Sequence, residues 1–104
     1  RWGYEKKGIP EGKAMIGCAE GNFHGRTIAV FSMSVEPECR EGFGHFVPEI
    51  LTVPYDNAEA LEKGFEQDGK NICAYSWDPI QGEAGIYVPA DGYRKKVCEL
   101  CGKH

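Results

Sequence analysis

No stretch of this 104-residue sequence approaches the roughly 20 apolar residues needed to span a bilayer. No run of Lys or Arg is long enough to follow a phosphate backbone. The densest basic clusters, Lys6-Lys7 and Arg94-Lys95-Lys96, read as solvated faces, and the net charge is -4. Membrane and nucleic-acid partners are therefore not expected. Internal repeats, low-complexity segments, a glycine-rich nucleotide loop and a nucleophile elbow are also missing. So is a charged-then-apolar leader, and Arg1 rather than Met opens the chain. The five cysteines (Cys18, Cys39, Cys73, Cys98, Cys101) are an odd number, whereas a secreted disulfide framework pairs an even set. Reduced thiols in an intracellular protein are expected. Cys98-Glu99-Leu100-Cys101 with His104 lacks the second Cys or His pair of a structural zinc site, and His24 and His45 are isolated. No metal is expected, and the two thiols read as half-buried helix packing.

The composition that remains, 41% hydrophobic and 27% charged, is that of an ordinary globular chain with room for one small domain. Residues 1–7 read as a helix end, broken by Gly8 and Pro10. Ala14 to Ala19 is a short apolar run, read as a buried strand. Residues 27–34, small and apolar, predict a short helix packed closely on a sheet. Residues 35–49, rich in Pro, Gly and charge, read as a loop. Residues 50–53 and 72–77 predict two more strands. Asn57 predicts a capped helix with Ala58, Leu61 and Phe65 on one face. Asp91 predicts the cap of a last helix, with Tyr93, Val97 and Leu100 or Cys101 on its apolar face.

Strands and helices thus alternate, which predicts an α/β fold of about three mostly parallel strands. In such sheets ligands bind beyond the carboxyl ends of the strands. Two glycine-bearing loops fall there. The first is Gly21-Asn22-Phe23-His24-Gly25-Arg26-Thr27, with an aromatic ring able to cover a flat heterocycle and a guanidinium suited to a carboxylate or phosphate. The second is Asp78-Pro79-Ile80-Gln81-Gly82-Glu83-Ala84-Gly85, with two carboxylates for acid-base chemistry or for holding a cation. Taken singly, each loop has a plainer reading that its spacing favours: Phe23 in the core, His24 at a helix start, Arg26 on the surface, Asp78 ending a strand and Glu83 capping a turn.

Taken together, Phe23-His24-Gly25-Arg26-Thr27 and Pro79 to Gly85 resemble two landmarks of the class III aminotransferases. Phe43-Gly44-His45-Phe46-Val47-Pro48 resembles that family's Phe-Gly-Pro-Phe-type loop. Arg1-Trp2-Gly3-Tyr4 with Lys7-Gly8-Ile9, and Gly92-Tyr93 through Glu99-Leu100-Cys101, resemble the ornithine-specific branch. The resemblance spans nearly the whole chain, in order. It implies part of the large cofactor domain of a fold-type I enzyme that uses pyridoxal 5'-phosphate. The implied reaction moves the δ-amino group of ornithine to 2-oxoglutarate, giving glutamate semialdehyde and glutamate. Transamination of acetylornithine or 4-aminobutyrate, or a non-catalytic α/β binding module, are the alternatives.

Residue by residue, the resemblance implies that Phe23 packs on the pyridine ring and that His24 lies beside the cofactor. Asp78 stands where the family carries Glu before Pro, with the carboxylate kept but one methylene shorter. Arg26 matches the arginine that meets a substrate carboxylate. Glu83 matches the glutamate that pairs with a distant arginine and releases it when a dicarboxylate arrives. His45 replaces a usual Pro, and Val47-Pro48-Glu49 lacks a glycine often seen there. No catalytic residue is expected within 1–104. The family's phosphate loop would precede residue 1. The aspartate on the pyridine nitrogen and the cofactor-bearing lysine would follow residue 104, and Lys95, Lys96 and Lys103 do not match that lysine. An internal piece of a longer homodimeric or larger enzyme, in the mitochondrial matrix or cytoplasm, is therefore expected.

Overall fold

Three short runs of mostly apolar residues form strands in the computed structural model, which describes residues 1–83 and 85–104. Ala84, in the second expected loop, lies outside the described residues. The strands are β1 (Met15–Ala19), β2 (Ile50–Val53) and β3 (Ile72–Ser76). All pair in parallel, in the order β2-β1-β3, as the alternation of elements predicts. The earliest strand is therefore central, and Cys18 and Ala19 on it are fully buried. Because the strands are parallel, their carboxyl ends share one edge, and the loops that follow them meet there.

The helices are α1 (Trp2–Glu5), α2 (Ile28–Phe31), α3 (Pro37–Arg40), α4 (Ala58–Asp68) and α5 (Tyr93–Lys103). α4 begins where Asn57 Oδ1 accepts the Ala60 N–H at 2.9 Å, satisfying one of the free donors of the first turn. Leu61 and Phe65 of α4, with Tyr93, Val97 and Leu100 of α5, close on Val53 and Ile72 as the main core cluster. Spacings of four and three residues keep each set on one helical face. Leu100 thus belongs to the apolar face, whereas Cys101 and Cys98 are exposed rather than half-buried.

Several expectations change. The helix expected over 27–34 is the single turn α2, and it buries no residue. Ser32 shortens it: its hydroxyl donates back to the Ile28 carbonyl at 2.7 Å, a local bond that competes with helix propagation. The 35–49 loop contains α3, started by Pro37 at the first helical position, where a missing N–H costs nothing. Asp91 does not cap α5. Gly92 holds that place at φ 90°, without a side-chain cap, because the chain turns there through the left-handed region open to glycine. Lys7 is not simply solvated: its ammonium donates to the carbonyls of Gly69 at 2.6 Å and Ile72 at 2.5 Å. It thereby ties the carboxyl end of α4, which carries free carbonyls and partial negative charge, to the start of β3.

Candidate active site

Residues 20–27 after β1 and residues 77–89 after β3 are joined side by side at the carboxyl edge of the sheet. Gln81, only 3% exposed, donates from its amide to the Glu20 carbonyl at 2.6 Å. Its backbone pairs with Tyr87 through two bonds of 3.0 Å, closing the second loop on itself. Gly21 lies so close that an added Cβ would stand 3.0 Å from the Gln81 side chain, and at φ 69° the backbone also favours glycine. The β2 end contributes Tyr55, whose hydroxyl sits 3.0 Å from the Asp78 carbonyl and 3.5 Å from that of Tyr87. Burial, with the negative charge of Asp56 next to it, raises the Tyr55 pKa, so the phenol stays a neutral donor. Asn22, buried, spans the Ala19 and Met33 carbonyls at 2.7 and 2.8 Å and fixes the start of the first loop.

Phe23 is 40% exposed, which removes the plainer reading of it as a core residue. Its N–H donates to Asp78 Oδ2 at 3.3 Å, so a carboxylate from the second loop holds the backbone of the first. His24 is not at a helix start, since Thr27 is the cap of α2. Its Nε2 lies 3.2 Å from Ser76 Oγ and its Nδ1 lies 3.8 Å from Asp78 Oδ1, with the two side chains 17% and 25% exposed. Arg26 and Glu83 are both exposed. They line, with Phe23, a cleft of about 350 Å³ whose other walls include Phe31, Glu36 and Glu38.

The fold therefore brings the five expected site residues to one edge and divides them. Phe23, Arg26 and Glu83 line the cleft, whereas His24 and Asp78 do not: Asp78 accepts the Phe23 N–H, and His24 meets Ser76. Sequence reasoning missed Ser76 and Tyr55. Both follow from the rule that singled out the loops, since Ser76 ends β3 and Tyr55 stands two residues beyond β2. No group of three or more metal-ligating side chains converges among the described residues, and none of their helices is long and apolar enough to cross a membrane.

An exposed aromatic ring between a guanidinium and carboxylates can hold a flat, charged organic molecule by stacking and ionic contact. Residues 1–104 match the family model described as Aminotransferase class-III from end to end. The chain belongs to the class-III aminotransferases. Among curated class-III aminotransferases, the mitochondrial ornithine aminotransferase of Oryza sativa subsp. japonica is 48% identical over all of this chain and 22% of its own length. A crystal structure of ornithine aminotransferase from Toxoplasma gondii ME49 superposes with a TM-score of 0.93 at 39% identity, covering 98% of this chain and 24% of that one. A second structure of the Toxoplasma gondii enzyme is described as showing partial occupancy of PLP at the protein active site. Acetylornithine aminotransferase from Elizabethkingia anophelis superposes with a TM-score of 0.72 at 35% identity, over 99% of this chain and 20% of that one. The chain thus spans about a quarter or less of the length of these class-III aminotransferases.

Proposed function

We propose that this chain forms part of the cofactor and substrate face of an ornithine aminotransferase that uses pyridoxal 5'-phosphate. The observation that carries the reading is the convergence of Phe23, Arg26 and Glu83, from two loops far apart in sequence, on one cleft. The residues present fit the cofactor: Phe23 offers an exposed aromatic ring to a flat pyridine, and Asp78 accepts its backbone N–H. Bound pyridoxal phosphate supplies the electron sink for transamination, and the protein supplies orientation and charge. Arg26 meets the carboxylate of the amino acid by a bidentate contact. Glu83 occupies the place from which a carboxylate would neutralise an arginine elsewhere in the enzyme until a diacid arrives, admitting ornithine and 2-oxoglutarate in turn. The acidic Glu36 and Glu38 on the same cleft add negative charge that suits a cationic amino donor. The full enzyme is a homodimer or larger assembly, in the mitochondrial matrix or the cytoplasm.

Steady-state kinetics on the full-length enzyme test this reading. The expected order of kcat/KM places ornithine above acetylornithine and 4-aminobutyrate; a preference for acetylornithine would move the protein to the sister activity. In the same assay Arg26→Ala is expected to raise the KM for ornithine while leaving the cofactor absorbance spectrum nearly unchanged. An unaltered KM would return Arg26 to the role of a surface residue.

A further inference from the structure

Two residues flanking Trp77 at the end of β3 grip two consecutive residues of the loop after β1. Asp78 Oδ2 accepts the Phe23 N–H at 3.3 Å, and Ser76 Oγ lies 3.2 Å from His24 Nε2. The other imidazole nitrogen faces Asp78 Oδ1 at 3.8 Å. That distance lies beyond hydrogen-bond reach, which ends at about 3.5 Å, so the Ser-His-Asp order does not make a proton relay of the acyl-transfer kind. It remains close enough for charge to act, because His24 and Asp78 are only 17% and 25% exposed and are partly shielded from solvent. A carboxylate on that side favours the tautomer with its proton on Nδ1. Nε2 is then an acceptor, and the Ser76 hydroxyl is its donor.

We propose that Ser76 is a positioning residue of the aminotransferase site. Its hydroxyl donates to Nε2 of His24, whose Nδ1 faces Asp78, and this clamp orients the His24 ring and, through the adjoining backbone, the exposed face of Phe23. The clamp itself rests on the geometry of Ser76, His24 and Asp78. Its consequence for cofactor binding rests on the function proposed above.

Full-length enzyme carrying ¹⁵N-labelled histidine separates the two. The His24 ring signals are assigned by their loss in His24→Gln. In the cofactor-free enzyme, Ser76→Ala is expected to move the His24 Nε2 resonance downfield, as an acceptor does when its donor is removed, and Ser76→Thr to restore it. Titrated with pyridoxal phosphate, Ser76→Ala is expected to raise the Kd by a factor of about 2–10, with Ser76→Thr near wild type. An unmoved resonance in Ser76→Ala overturns the hydrogen bond. A moved resonance with unchanged Kd overturns the positioning role. A Ser76→Thr that behaves like Ser76→Ala shows that packing rather than the hydroxyl matters, and also overturns it. A wild-type enzyme that binds no pyridoxal phosphate contradicts the proposed function, while the histidine signal still decides the clamp.

Discussion

At the scale of single residues, the deciding property is which way a loop side chain faces. Phe23 and Phe65 are both phenylalanines, yet one is 40% exposed beside a cleft and the other 4% exposed inside the core. Helical spacing identifies Phe65 from the sequence, because its neighbours Leu61 and Ala58 share the face. No such periodicity surrounds Phe23, and the group that accepts its N–H, the Asp78 carboxylate, lies 55 residues later. Phe23→Ala in the full-length enzyme is expected to weaken cofactor retention. The stacking lost is worth about 0.5–1.5 kcal/mol beyond buried area. That corresponds to a roughly two- to tenfold rise in the dissociation constant, read by fluorescence titration with pyridoxal phosphate. An unchanged constant would remove Phe23 as the ring partner.

Among the elements, α4 is the one most fully legible beforehand: an Asn cap, a helical apolar stripe and no internal proline. Its most buried side chain, Leu61, is 1% exposed and packs in the core cluster with Val53 and Ile72 of the sheet and the apolar face of α5. Leu61→Ala is expected to cost about 2–5 kcal/mol, the transfer term plus a cavity that rigid neighbours cannot close. Denaturant unfolding of the parent enzyme, followed by far-UV circular dichroism, would show it as a lower midpoint; a midpoint shift near zero would mean the site collapses freely. The start of α5 differs from the expected Asp91 cap for an identifiable reason. Asp91 is an acceptable cap by residue type, but the backbone enters α5 through Gly92 in the left-handed region, and that geometry follows from how the loop reaches the sheet. α2 shortened similarly, since the apolar residues 28–31 suggest a longer helix and only the back-bonded Ser32 marks its end.

For the whole molecule, the sheet is small and open. β2 and β3 each have one partner, β1, so each leaves an outer edge unpaired among the described residues. Ile80, Ile86 and Val88 are at least 60% exposed beside that sheet's carboxyl edge. Residues 1–104 expressed alone are therefore expected to aggregate, measurable as rising light scattering with concentration. They are also expected to show no transaminase turnover and no borohydride-trapped cofactor, since no lysine lines the cleft among the described residues. A soluble monomer that traps cofactor stoichiometrically on one lysine would refute this. In the parent enzyme, alkali has a defined effect through Tyr75. Burial, followed by its contact with Tyr93 at 3.3 Å, pushes the Tyr75 pKa upward. The folded state then holds a proton that the unfolded state releases near pH 10. The stability from neutral Tyr75 is complete below pH 10 and falls as pH rises towards the folded-state value. Denaturant midpoints that stay level from pH 9 to 11.5 would contradict that coupling.

The sequence by itself determined the alternation of strands and helices, the parallel sense of the sheet and the two loops that meet at its edge. Those properties are set by local pattern: apolar runs too short for helices, a capped helical stripe, glycines where chains turn. Only the tertiary structure decided that β1 is central, that Lys7 turns inward to two carbonyls, that Phe23 is exposed and that Ser76 reaches His24. Each of these depends on groups brought together from distant parts of the chain, whose positions no local pattern encodes.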